Sequence, residues 1–314
     1  MRTLVLTSVV ACAAVLVGVG QQQPPVFRGA TETVPVFATV TDKDGRLVTS
    51  LGKDDFVLLD NGKPQPITVF DATPQAIRLI VMLDVSGSMY GNLNLLRAAS
   101  RQLFARLRPD DQVRVGSFGA DITLSPTFSN DPRSLDAALP ATIPADALTP
   151  LWNALNTALD GFPEGGGRRV ILVLSDGKDS GPVKFGQPYL TLPQIMERGQ
   201  RDDVMFYSGA FRSRAAPGRR PGAFGNPMQA MVENLPDPGL AKLAQETGGG
   251  YFDIMPSDDL AEAFARVVDE LHGQYLLGFA PATRDGKRHK IEVKLVPRDL
   301  KVRARKNYVA PEGR

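Results

Sequence analysis

Leu79-Ile80-Val81-Met82-Leu83-Asp84-Val85-Ser86-Gly87-Ser88-Met89 is the stretch that decides the fold. Five consecutive apolar residues without polar alternation suit a strand buried on both faces, and such strands belong to parallel sheets covered by helices. The run stops at Asp84, and two hydroxyls follow at alternate positions, Ser86 and Ser88. Downstream, Leu96, Ala99, Leu103 and Leu107 recur at helical spacing. Val113 to Phe118 reads as another strand and Pro150 to Leu159 as a helix. Val170 to Leu174 is a second fully buried strand, and Val204 to Ala210 a third. Leu260, Phe264, Val267, Val268 and Leu271 mark a closing helix, with Ser257 as its cap and Asp258 and Asp259 well placed for its dipole. Strands alternating with helices predict an α/β unit over residues 76–272, built on a doubly wound, mostly parallel, Rossmann-like sheet.

The flanks follow another pattern. Val34, Val36, Ala38 and Val40 point one way, and Thr33, Phe37, Thr39 and Thr41 the other. Asp44-Gly45 and Asn61-Gly62 are hairpin-type turn signals. After Gln274, Ile291, Val293 and Leu295 alternate with charged residues; Pro297-Arg298-Asp299 turns, and Leu300, Val302 and Ala304 alternate again. Each β segment is too small to fold well alone. Residues 26–75 and 273–312 are therefore expected to form one small β-sandwich into which the α/β unit is inserted. Arg212 to Pro238, rich in Arg, Gly and Pro, reads as a long surface loop.

Of the 314 residues, 43% are apolar and 22% charged, and the net charge is +2. That is a globular balance with no global field drawing the chain to nucleic acid. Arg2, the apolar run Leu4 to Gly20 and the polar Gln21 to Gln23 have the form of an export signal over residues 1–20. Gly18 and Gly20 suit cleavage, and the other reading is an uncleaved membrane anchor; peripheral membrane association is a separate expectation, resting on the basic carboxyl-terminal segment. Cys12 is the only cysteine. A cleaved chain would have no disulfide, no thiolate nucleophile and no Cys-ligated zinc.

At the carboxyl edge of an open α/β sheet, the switch point forms a binding crevice. Asp84, Ser86 and Ser88 fall there, the Val170 strand ends in Ser175-Asp176-Gly177, and Thr149 stands before Pro150 at a helix start. Each piece has a plainer reading, as a strand-to-helix turn, an ordinary turn and an N-cap with Pro at the first helical position. Together Asp84, Ser86, Ser88, Thr149 and Asp176 make an all-oxygen set suited to a hard cation, Mg²⁺ or Mn²⁺. Five side chains dominated by neutral hydroxyls leave an octahedral ion with an open position, which a partner's carboxylate would fill.

Asp84-x-Ser86-x-Ser88 with Thr149 and Asp176 resembles the metal-ion-dependent adhesion site of von Willebrand factor A domains. Asp110-Asp111-Gln112-Val113 with Gly116-Ser117-Phe118 resembles their second-strand region, and Thr149 to Leu155 their threonine loop, where Ala147-Leu148 replaces the common Gly-Gly. Val40 to Gly45, Asp54-Asp55-Phe56, Asp60 to Gln65, Tyr275 to Pro281 and Val302 to Tyr308 resemble the flanks of an exported, acidobacterial-type family related to this domain. The resemblance implies cation-dependent binding of a protein partner that supplies an Asp or Glu. For the narrower family it implies no defined activity.

Two rival functions remain. A hydrolase would need a base near Ser86, but the two histidines, His272 and His289, lie near no nucleophile motif, and Ser86 lacks the glycines of a nucleophile elbow. No enzymatic activity is expected. A structural module binding anionic surfaces would use the basic tail, in which Arg284 to Arg314 contains eleven Lys or Arg against four acids.

Overall fold

The computed structural model describes residues 33–144, 146–165, 167–176, 179–211, 237–254, 260–296 and 299–312. The expected signal over 1–20, the Arg-rich loop up to residue 236 and the Ser257 cap lie outside them.

The central sheet has six strands: β5 (Ile77–Asp84), β6 (Gln112–Phe118), β7 (Ile122–Leu124), β8 (Arg168–Ser175), β9 (Val204–Phe211) and β10 (Tyr251–Ile254). Their order is β10-β9-β8-β5-β6-β7, parallel except for the β6–β7 hairpin. Leu79 to Leu83 are fully buried, as the unbroken apolar run requires. Odd and even residues of β5 serve different layers. Leu79, Val81 and Leu83 pack with α1 (Leu93–Phe104), α2 (Pro132–Ala137) and α6 (Leu260–His272). Ile80 and Met82 pack with α3 (Leu151–Asp160), α4 (Leu192–Arg201) and α5 (Pro238–Thr247). The fold is thus doubly wound. Its strand order reverses at β5, which has β6 on one side and β8 on the other.

The terminal segments interleave in two antiparallel sheets. One has the order β13-β1-β11-β4, from β1 (Val34–Thr41), β4 (Val69–Asp71), β11 (Tyr275–Phe279) and β13 (Lys301–Ala304). The other is β14-β12-β2-β3, from β2 (Phe56–Asp60), β3 (Lys63–Gln65), β12 (Arg288–Leu295) and β14 (Asn307–Val309). Both contribute to one core, including Val36, Ala38, Leu58, Leu277, Ile291 and Tyr308. The α/β unit is therefore an insertion in a small sandwich. Asn61 and Gly62, at φ 49° and 80°, form the tight β2–β3 turn. Asp44-Gly45 also turns, but beyond it only an isolated Thr41–Leu47 bridge forms rather than a second strand.

The second face of β1 is not turned to solvent. Phe37 packs against the α/β core, and the Arg168 guanidinium stacks 4.5 Å over its ring. Around it lies a buried polar joint. Arg168 donates to Gln274 and to the Leu271 carbonyl. Gln274 donates to Thr39 (2.6 Å) and Tyr207 (3.1 Å), and Glu270 accepts from Thr39, Tyr207 and Arg303. Burial pulls the Arg168 pKa down to about 10, against the opposing influences of Tyr207 and Asp111. These contacts tie the sandwich to the amino-terminal edge of the parallel sheet.

Neither histidine is spare. His289 Nδ1 lies 3.0 Å from Asp60 and its Nε2 3.2 Å from Asp285, inside the sandwich. His272 Nε2 lies 2.9 Å from buried Asp111, which also accepts the Ile77 and Arg108 N–H groups at 3.1 and 2.7 Å. Burial alone would raise the Asp111 pKa, but these hydrogen bonds outweigh it and hold the carboxyl below its ordinary 3.8. A carboxylate with a lowered folded-state pKa contributes stability above its unfolded value and loses it as pH falls through the folded one. Urea titrations of wild type and Asp111→Asn are therefore expected to differ most near neutral pH. The gap should narrow steadily below pH 3.8, and a gap that widens with acid would contradict this assignment.

Candidate cation site

The carboxyl ends of β5 and β8 lie side by side, because Leu83 pairs with Leu174 in parallel register. Asp84 ends β5 and Ser175 ends β8, so the two side chains meet: Ser175 Oγ donates to Asp84 Oδ2 at 2.5 Å. The other carboxylate oxygen of Asp84 accepts the Ser86 N–H at 2.8 Å. This local bond turns the chain sharply after the strand, as a short aspartate side chain can. The turn leads into a 3-10 segment, Gly87–Asn92. Ser86 stands at the capping position of that segment, yet its side chain makes no capping hydrogen bond. Its hydroxyl lies 3.1 Å from the Ser88 hydroxyl, which donates to Asp176 Oδ1 at 2.8 Å. Asp84, Ser86, Ser88 and Asp176 are thus joined by direct contacts across two loops.

Thr149 is linked to this region through main-chain bonds of its loop, without a direct bond to the other four among those described. The Gly87 N–H donates to the Ala147 carbonyl at 3.0 Å, linking the serine loop to the threonine loop. Thr149 exchanges two bonds with Ser180: its N–H donates to the Ser180 hydroxyl at 2.8 Å, and its carbonyl accepts the Ser180 N–H at 2.9 Å. The plain capping role for Thr149 is not taken. α3 begins one residue later than expected, with Pro150 at the cap, and the Trp152 N–H donates to Asp179 Oδ1 at 3.2 Å. Asp179, from the loop after β8, therefore satisfies the helix start. Ser175 and Asp179 are two supporting residues that reading the sequence did not single out. Ser175 was legible as the residue that ends β8 opposite Asp84. Asp179 was not, since it lies 27 residues from the amide it accepts.

Asp84 and Ser86 are buried, as are Thr149 and Asp176, whereas Ser88 is exposed. Ser88 is thus the cluster's solvent-facing member. Burial pushes the Asp84 pKa up to about 6; hydrogen bonds from Ser175 and Ser86 oppose the rise, and the charge of Asp176 adds to it. No basic group is among the largest influences on it. Asp179 is also raised, by burial first and by the charge of Asp237 among the lesser causes. Asp237 caps α5 through the Gly239 N–H at 2.8 Å. The edge of the sheet thus concentrates negative charge.

All five side chains offer hard oxygens, and their chemistry fits a divalent cation of the Mg²⁺ class. The set has only two carboxylates, and among the described residues no group of three or more His, Cys, Asp or Glu is placed to hold a metal ion. The basic tail is partly committed elsewhere: Arg303 pairs with Glu270, Arg305 with Asp203 at 2.5 Å, and Lys306 with Glu246 at 3.3 Å. No described helix is long and apolar enough to cross a membrane.

Residues 79–178 match the family model for the von Willebrand factor type A domain. No curated protein sequence matches the chain. Similar solved structures include a conserved hypothetical protein, BatB, of Bacteroides thetaiotaomicron (17% identity, 62% of this chain and 98% of that one, TM-score 0.45). A von Willebrand factor type A protein of Catenulispora acidiphila is similar at 14% identity, with 82% and 74% covered and a TM-score of 0.46. Proximal thread matrix protein 1 from the mussel byssus, with a zinc-occupied MIDAS motif, is similar at 16% identity, with 66% and 48% covered and a TM-score of 0.46.

Proposed function

We propose that this chain, whose residues 79–178 match the von Willebrand factor type A domain, is an exported binding protein that grips a partner through a divalent cation. Asp84, Ser86, Ser88, Thr149 and Asp176 would hold Mg²⁺ or Mn²⁺, which supplies an electrophilic, incompletely filled coordination position for a partner's Asp or Glu carboxylate. The observation that carries this reading is the oxygen cluster itself. Two carboxylates and two hydroxyls from two loops lie in direct contact, and Asp84, fully buried among them, has no basic group among its main influences.

The chain's own residues have distinct roles. Ser175 and the Ser86 N–H orient Asp84 from behind. Ser86 and Ser88 are free of capping duty and present neutral oxygens, so they bind without cancelling the charge of the ion. Asp179 relieves Thr149 of the helix cap. Both histidines are engaged away from the cluster, His272 with Asp111 and His289 with Asp60 and Asp285.

Titration calorimetry of the full chain with Mn²⁺ tests the reading. One site is expected, weakened by about 10- to 100-fold or more in Ser86→Ala. Equal affinity in wild type and variant would overturn it.

A further inference from the structure

The rim of the cation site is unusually apolar. Tyr90 is 71% exposed, Leu148 51% and Tyr189 65%, and Phe185 is fully exposed. They are half of the exposed large hydrophobic residues described. All four sit on the loops that build the site: Tyr90 is two residues from Ser88, Leu148 precedes Thr149, and Phe185 and Tyr189 lie in the loop after Asp176.

That loop is fastened around the cluster. Lys184 Nζ pairs with Asp121 at 2.6 Å in the β6–β7 turn. The same turn abuts the serine loop, because a Cβ on Gly119 would fall 2.8 Å from the Val85 carbonyl. At the other end Asn153 Nδ2 donates to the Pro188 carbonyl at 3.1 Å, and the Tyr189 ring covers Gly181. The loop carrying Phe185 and Tyr189 therefore reaches from α3 to the β6–β7 turn at the carboxyl edge of the sheet, the edge from which the serine loop with Tyr90 also emerges. Exposed aromatic groups gathered on one face mark an interaction surface.

Charge selects among occupants. Asp84, Asp176, Asp179 and Asp237 make this edge acidic, so a densely anionic surface would be repelled everywhere except at the ion. A single carboxylate flanked by uncharged apolar groups meets both features. Resting on the cation reading above, we infer that the rim recognises a protein segment in which one Asp or Glu is flanked by large apolar or aromatic side chains. The ion takes the carboxylate, and Tyr90, Leu148, Phe185 and Tyr189 take the neighbours.

The test is to pan nine-residue peptides with a fixed central Glu and randomised flanks on the full chain in Mn²⁺, with elution by EDTA. Eluted peptides should be enriched in Phe, Tyr, Trp or Leu beside the Glu. The best of them should bind Tyr90→Ser/Phe185→Ser on the order of tenfold more weakly, while that variant keeps wild-type Mn²⁺ affinity. Eluted peptides without flank preference, no peptide eluted from Mn²⁺-loaded protein, or an unweakened variant would each overturn the rim assignment and leave the ion intact. Mn²⁺-dependent binding to phosphatidylglycerol vesicles through Tyr90 and Phe185, without peptide selection, would assign the rim to membranes instead. Failure to bind Mn²⁺ at all would overturn the cation reading itself.

Discussion

Asp84→Asn is expected to melt at least as high as wild type in EDTA and to gain nothing from Mg²⁺. The reasoning starts from burial. A carboxyl whose pKa is pushed up to about 6 costs on the order of 3 kcal/mol to keep ionised at neutral pH, relative to water. The asparagine retains an oxygen for the Ser86 N–H and removes the charge. Wild type should respond in the opposite way to cation. A ligand at 100 times its dissociation constant stabilises the folded state by about 2.7 kcal/mol, which is several degrees of melting temperature in a chain of this size. Differential scanning fluorimetry with a Mg²⁺ or Mn²⁺ series, on both proteins, checks both parts. A variant that melts well below wild type in EDTA would mean that Asp84 is a structural anchor. A variant that still climbs with Mg²⁺ would place the ion elsewhere.

The largest loss of stability is expected at the other edge of the sheet. Glu270 accepts from Thr39, Tyr207 and Arg303 where the sandwich meets the α/β unit. Glu270→Ala leaves those donors without their acceptor and Arg303 without its counter-charge. Breaking one partner of a fully buried charged pair typically costs about 3–5 kcal/mol, which is the ceiling here because the Arg303 side chain is 34% exposed. Urea unfolding should show a loss of up to that size, with Mn²⁺ affinity of the folded variant unchanged, because the joint and the cation cluster lie at opposite ends of β8. A cost below about 1 kcal/mol would show that water satisfies these groups instead.

These two predictions rest on features of different visibility. The cation cluster was legible because its parts are short, local and terminal: a strand that can only be buried, followed at once by small oxygen ligands. The fold was legible for the same reason in β5, β8 and β9. The joint was not. Arg168 reads as a charged residue at a strand start, and Thr39 as the polar side of an alternating strand. Their burial depends on β1 lying against the α/β unit, which no local pattern encodes. Other omissions were signals passed over. Thr191 and Gln194 form a capping box with Pro193 in the first turn of α4. Asp237-Pro238 opens α5, and Gly248, at φ 84°, closes it. The short β10 follows three glycines, and Gly249 has its backbone against Phe206, where a Cβ would fall 1.9 Å from the carbonyl oxygen.

The exposed aromatic rim is a third kind of feature. Tyr90, Phe185 and Tyr189 are unremarked in the sequence because exposure cannot be read from residue type. Tyr90 is carried by the serine loop itself, and Phe185 and Tyr189 by the loop after β8, whose Lys184 pairs with Asp121 in the β6–β7 turn.

One divalent cation is expected among Asp84, Ser86, Ser88, Thr149 and Asp176. Anomalous diffraction from crystals of the full chain grown with Mn²⁺ measures this most directly. One strong peak is expected at the carboxyl ends of β5 and β8, within coordination distance of the Ser86 and Ser88 hydroxyls. A Mn²⁺ peak at another cluster, or none at saturating Mn²⁺ with these five side chains ordered, would contradict it.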